Sequence, residues 1–267
     1  QTIAGLLHDV STPVFSHVSD FRKGDALTQT ATEEPNAALI KEDRQLADCL
    51  AADSLTASQV WDYHLYPIAD NEIPQLSAAR LEYMYPSGAS LAEIWNLEDI
   101  RENYGHIVVT QNERGIPELG FDDEEAALTY MKKFIDISMI LQRNEDKVAM
   151  QLMADILTHA ESEGFVKPDD YYRLSEREFI RHLEECSSSR ADCTFSRLFH
   201  AYRTMTTIKR SRVPLEGCWC VSLNVKRRYV DPLAKGKRIS SINAQARQYI
   251  ENFLAFEDEP YGCVEIR

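Results

Sequence analysis

Basic residues are scarce beside acidic ones: 29 Lys+Arg against 43 Asp+Glu leave a formal net charge of −14 over 267 residues. A chain this acidic has no general electrostatic attraction to nucleic acid or to anionic membrane, so a nucleic-acid-coating role is disfavoured. Long apolar runs are also missing. None approaches the roughly 18 residues of a membrane-spanning helix, and the stretch from Gln1 to Leu7 has neither the basic nor the long apolar part of a secretory signal. Six cysteines, at 49, 186, 193, 218, 220 and 263, include no C-x2-C pair of the zinc-site kind, and are read as reduced thiols of a cytoplasmic protein. With only 10 Gly and 10 Pro there is no low-complexity linker, and no internal repeat is found. What remains, 44% hydrophobic and 27% charged residues, is the composition of an ordinary globular chain with a real core.

Helical periodicity dominates the first three quarters. Ile3, Leu6, Leu7 and Val10 recur at three- and four-residue spacing, and the chain opens within this helix. Ser11-Thr12-Pro13 is expected to end it and to cap a second helix over Val14 to Phe21. Further helices are expected around 33–52 and 56–64, and another from Pro74 through Leu81 until Pro86-Ser87-Gly88 stops it. His106 to Thr110 and Ile116 to Phe121 look like a small hairpin. The acidic turn from Asp122 to Glu125 opens a long helix striped by Leu128, Met131, Ile135 and Met139, followed by a second from about 145 to 163. Ser175 and Glu178 have the spacing of a capping box, and Thr194 to Tyr202 is amphipathic. Towards the C-terminus, strands are expected over Cys218 to Lys226 and Gly262 to Arg267, with a helix over Asn243 to Leu254 between them. These elements predict a mainly α protein: a helical body over 1–205 and a small mixed lobe over 206–267.

Chemistry first appears at His8-Asp9. Neighbouring side chains on a regular helix diverge by about 100°, so an imidazole and the next carboxylate can meet one cation only where the helix is ending, and the break at Ser11-Thr12-Pro13 meets that need. The run Ala4-Gly5-Leu6-Leu7-His8-Asp9-Val10-Ser11-Thr12-Pro13-Val14-Phe15-Ser16-His17-Val18-Ser19-Asp20 resembles the metal-binding segment of HD-domain phosphohydrolases, especially the deoxynucleotide triphosphohydrolase (dGTPase-like) branch. The resemblance implies an HD-type helical fold and a divalent cation (Mn, Fe, Mg, Ni or Zn) held by an upstream His, the doublet His8 and Asp9, and a later Asp. The upstream His has no match before Gln1. The later Asp belongs to a helix that Leu76-Ser77-Ala78-Ala79-Arg80-Leu81-Glu82-Tyr83 resembles, but the ligand position holds Ala79, whose methyl group can coordinate nothing. Glu82, three residues on, is a substitute donor by spacing.

The same resemblance makes His17, Asp20 and Glu33 the groups near the reacting phosphate, and gives Arg80 and Tyr83 the nucleotide's phosphates and sugar. Thr12 and Thr32 stand where related triphosphohydrolases carry histidines, and neither can donate a proton near neutrality. The likeness continues in looser form over Glu161 to Glu178. His64, within Tyr63-His64-Leu65-Tyr66, can line the pocket or belong to an aromatic packing patch. His106, His159, His182 and His200 have no acidic or Cys partner at ligand spacing, and Cys218-Trp219-Cys220 places two thiols on one strand face. Lys209 to Arg212, Lys226 to Arg228 and Lys235 to Arg238 concentrate positive charge, as a solvated face or an effector site. The expected function is metal-dependent hydrolysis of (deoxy)nucleotide phosphates or another phosphate ester, with diesters open, impaired in this chain because two of four metal ligands lack a counterpart. The alternative is an inactive HD module that binds a nucleotide or protein partner as a sensor or scaffold. No membrane partner is expected, and a homo-oligomer is left open.

Overall fold

A computed structural model describes residues 1–27 and 35–266; Thr32 and Glu33 lie outside the described residues. Helices dominate. In chain order they are α1 Thr2–Leu7, α2 Val18–Arg22, α3 Asn36–Glu42, α4 Arg44–Ala52, α5 Ala78–Ser90, α6 Leu97–Gly105, α7 Glu124–Gln142, α8 Asn144–Ser162, α9 Asp170–Arg173, α10 Glu176–Ser189, α11 Thr194–Thr204, α12 Ile239–Ile242 and α13 Ala244–Ala255. The strands are β1 Ile107–Gln111, β2 Pro117–Phe121, β3 Lys209–Ser211, β4 Cys218–Val221, β5 Leu233–Ala234, β6 Lys237–Arg238 and β7 Tyr261–Glu265. Among the described residues no helix is long and apolar enough to cross a membrane.

The chain divides into two compact units, both discontinuous: residues 1–8, 40–141 and 227–257 form the first, and 9–39, 142–226 and 258–267 the second. Residues 206–267 are thus shared between the units: β3 and β4 each pair with β7, while β5 and β6 join the hairpin strands. The first unit holds a four-stranded sheet in the order β1-β2-β5-β6. Its core, built on α5 and α7, includes Met84, Tyr130, Met131, Phe134 and Ile137, with Phe121 and Phe253. Lys235 and Gly236, at φ 50° and 79°, make the two-residue turn between β5 and β6. Positive φ at both central residues suits a tight hairpin, and it sets Arg238 across from Leu233. The second unit surrounds α8, whose Val148, Leu152, Ile156 and Leu157 are fully buried, together with α10, α11 and a sheet in which β7 pairs with both β3 and β4.

The expected hairpin, the helix pair α7 and α8, and the Ser175–Glu178 capping box are all present. Other expectations need correction. No helix covers Val14 to His17: Phe15 and Ser16 take φ of 63° and 39°, and α2 starts only at Val18. The stretch 56–64 holds two short 3-10 turns, Ala57–Gln59 and Tyr63–Leu65. Asp43 caps α4 through the Leu46 amide and so separates it from α3. α5 starts at Ala78 on a Ser77 cap and continues through Pro86 to Ser90. Packing outweighs the missing amide of Pro86, since Tyr85 is buried and donates its hydroxyl to Asn103, and Gly88 lets Trp95 come so close that a Cβ would lie 2.3 Å from its Cδ1. The strand from Cys218 ends at Val221, where its pairing with Gly262 of β7 ends. Cys220 and Cys263, directly opposed on β4 and β7, are joined by a disulfide, so the reading of all six cysteines as thiols does not hold.

Candidate functional site

The loop that leads into α5 gathers most of the first unit's candidate side chains. Asp62 caps the second 3-10 turn through the His64 amide and also faces the His64 ring, with Nδ1 3.0 Å from its Oδ1. The other ring nitrogen, Nε2, lies 3.3 Å from Asp70 Oδ2. Each ring nitrogen of His64 therefore faces one carboxylate. Tyr63 stands between two imidazoles, its ring centroid 4.7 Å from that of His8 and 4.6 Å from that of His64. His8 Nδ1 lies 2.6 Å from the Gly5 carbonyl. Donation along that bond leaves the neutral ring's lone pair on Nε2.

Arg80 locks this loop. Its guanidinium, only 10% exposed, donates through Nη1 to Asn71 Oδ1 (2.6 Å), Ser77 Oγ (3.1 Å) and the Gln75 carbonyl (3.2 Å), and through Nη2 to the Asn71 carbonyl (2.5 Å). Asp70 Oδ1 completes the cage at 3.5 Å. Burial alone would raise the Asp70 carboxyl, but the His64 hydrogen bond and the Arg80 charge outweigh it and hold that carboxyl below its ordinary range. The first-turn amides of α5 are also used: Ala78 donates to the Ile68 carbonyl, Ala79 to that of Ala69, and Arg80 to Ser77 Oγ. This helix end therefore offers no open cradle of amides. One turn on, burial pushes the Tyr83 hydroxyl up despite a hydrogen bond with Arg228 and the nearby Arg80 charge. Glu82, the substitute donor by spacing, is exposed.

The second unit holds a different arrangement. The turn through Phe15 and Ser16 delivers His17 to the N-cap of α2, where its Nδ1 lies 3.0 Å from Asp20 Oδ2. Asp20 is fully buried while the His17 side chain is 55% exposed, so a fixed carboxylate orients an accessible imidazole. Arg22 of α2 bonds to both Glu161 and the Tyr171 hydroxyl, and burial pushes that phenol up to about 12 against the pull of Arg22. Asp9 is exposed, with Thr12 Oγ1 3.4 Å from its Oδ1.

The doublet is divided, His8 belonging to the first unit and Asp9 to the second. Among the described residues no three His, Cys, Asp or Glu side chains are grouped as metal ligands. With Ala79 at the position that the resemblance gives to a ligand, the described residues do not complete a divalent site. Two of the histidines read as lacking an acidic or Cys partner have one: His106 Nδ1 lies 2.8 Å from Asp122 Oδ1, and His182 Nε2 lies 3.7 Å from Cys186 Sγ. Of these only His182 and Cys186, four apart on α10, had a helical spacing that could have announced them. For His64, Asp62 at two residues was legible, whereas Asp70 reaches the ring only through the loop that Arg80 closes.

No family model and no solved structure matches the chain. Among curated proteins it is 24% identical over 196 residues to the metal-dependent phosphohydrolase cns2 of Cordyceps militaris. The likeness is to a phosphohydrolase. It covers 70% of the chain and 54% of the relative, so the chain spans about half the length of the curated relative it matches. It agrees with the resemblance of residues 4–20 at the level of a metal-dependent phosphohydrolase, and it carries no information on the nucleotide-specific branch.

Proposed function

We propose that the protein is a phosphohydrolase of the HD-domain type acting on nucleotide, foremost deoxynucleotide, phosphates, and that this chain carries an impaired centre. The likeness to a metal-dependent phosphohydrolase over 196 residues is the observation that carries the reading. His17, steered by buried Asp20, is the proton-transfer group of this proposal, with Glu33 as a second. His64, Arg80 and Tyr83 belong to substrate binding, and His8 and Asp9 are the donors left for a metal. A divalent ion would polarise a phosphate and supply hydroxide in an enzyme of this kind; with Ala79 in place the donor set falls short, and impairment follows.

A second reading, a silent module that binds a nucleotide without cleaving it, is favoured by Ala79 and by the lack, among the described residues, of a group of three ligands. One experiment separates them. Phosphate release is screened over deoxynucleoside and ribonucleoside mono- and triphosphates and cyclic diesters, with metal content measured, for the full-length protein and its Ala79→Asp variant. Metal uptake and phosphate release on Ala79→Asp are the expected result. A metal-loaded variant that cleaves nothing in the panel would overturn the enzyme reading, and nucleotide binding without release would establish the module.

A further inference from the structure

The sheet of the first unit ends on an unguarded strand. β1 stands at one edge of the order β1-β2-β5-β6, so its outer side has no neighbouring strand among the described residues. The alternation of the ladder decides which main-chain groups face that side. The His106 carbonyl accepts from the Asp122 amide and the Asn112 amide donates to the Ile116 carbonyl, both at 3.0 Å, so in this antiparallel pair the even-numbered residues of β1 turn their amides and carbonyls toward β2. Phe121, opposite Ile107, agrees: its carbonyl is turned away from β1 and accepts from the Lys235 amide at 2.9 Å. Ile107, Val109 and Gln111 therefore direct their main-chain donors and acceptors outward.

Edge strands of soluble proteins are commonly protected by charge or proline. β6 carries Lys237 and Arg238 and β3 carries Lys209 and Arg210, whereas Ile107-Val108-Val109-Thr110-Gln111 has neither a charge nor a proline. Val109 is 62% exposed although it stands directly opposite the buried Leu119, and Tyr104, just ahead of the strand, is as exposed. A second copy of the chain fits this edge. Antiparallel pairing about a two-fold axis at Val109 sets Val109 against Val109 and Ile107 against Gln111, so each outward amide meets an outward carbonyl and two aliphatic side chains meet at the axis. Charge agrees. Such pairing brings the end of β1 that leads to exposed Arg114 beside the end where α6 of the other copy enters, and the last turn of α6 holds Glu102 and no basic residue. The negative end of a helix favours a cation placed there.

We propose that β1 is the docking edge for a second copy of this chain, in a two-fold dimer whose two four-stranded sheets become continuous. The inference is independent of the phosphohydrolase reading. The net charge of −14 opposes the meeting of two copies at low ionic strength, so the dimer belongs to solutions in which salt screens it.

The test is sedimentation equilibrium of the full-length protein from about 1 to 100 μM at about 0.15 M salt, beside Val109→Lys, Val109→Glu and Val109→Pro, with a melting curve for each at the lowest concentration. Wild type should pass reversibly from monomer to dimer. Val109→Lys and Val109→Glu, which set like charges against each other at the axis, should each weaken the dimer by about tenfold or more with little change in melting point. An equimolar mixture of the two should restore a heterodimer, because the axis then opposes Lys to Glu. Val109→Pro removes an outward amide without touching the bonds to β2 and should weaken the dimer as well. Hydrogen exchange at the Ile107, Val109 and Gln111 amides should slow as wild-type concentration rises. A wild type that stays monomeric throughout overturns the proposal, and so does a dimer that Val109→Lys and Val109→Glu leave intact. If Val109→Pro does not fold, the mixture decides: failure of Val109→Lys and Val109→Glu to associate with each other where wild type dimerises also overturns the assignment of β1.

Discussion

Replacement of Arg238 by methionine should be among the most damaging single changes in the first unit. Glu118, on β2, is completely buried, and Arg238 on β6 meets it with two parallel bonds, Nη1 to Oε1 at 2.6 Å and Nη2 to Oε2 at 2.8 Å. The two carboxylates of Glu118 and Glu113 outweigh burial and hold the guanidinium protonated well above its ordinary value. In Arg238→Met the Glu118 carboxylate keeps only the Leu76 amide, 3.2 Å from its Oε1. Breaking a buried pair in this one-sided way costs about 3–5 kcal/mol, a large part of the roughly 5–15 kcal/mol that holds a domain together. Glu113 also meets Arg238, at 2.7 Å, but it is 59% exposed. Removing that rim partner as Glu113→Gln should cost only about 0.2–1 kcal/mol. Urea unfolding followed by the fluorescence of Trp95, buried in the same unit, measures both. Glu118→Gln added to Arg238→Met should recover most of the loss. A loss below about 1 kcal/mol for Arg238→Met would refute the argument that this pair is buried as a charged pair.

Gly88→Ala should destabilise by about 1–3 kcal/mol through overpacking against Trp95 and Ile137, whereas Gly5→Ala in α1, with open space at its Cβ, should be neutral or stabilising; thermal melts compare the two. For Asp70, whose folded pKa is depressed, the stabilisation is present above the unfolded value near 3.9 and is lost as pH falls through the folded one. Asp70→Asn should therefore be less stable than wild type at pH 7, with the two converging in melts below about pH 4. Cys220→Ser removes a bridge between positions 43 apart in sequence and should cost about 2–4 kcal/mol without reductant. Fully reduced wild type should then match the variant, and equal stability of wild type with and without reductant would count against the bridge.

What could be read from residue order was local. The stripes of α7 and α8, the Ser175–Glu178 box and the hairpin each depend on partners within a few residues, where spacing and propensity act before any distant contact forms. The doublet His8-Asp9 and the gap at Ala79 were legible for the same reason, as positions in a linear pattern. Tertiary structure decided the rest. Pro86 stays inside α5 because Tyr85 and Gly88 are packed against partners that Pro86 itself cannot announce. The positive φ at Phe15 and Ser16 carries no glycine to mark it, yet it is what brings His17 to Asp20. Cys220 finds Cys263, and Arg238 finds Glu118, only after strands far apart in the chain have paired. Arg80 is the clearest case. Its type and position suggested a phosphate contact, but a guanidinium bonds whichever oxygens lie within reach, and the closing of the loop from Asp70 to Ser77 put those of the protein there first.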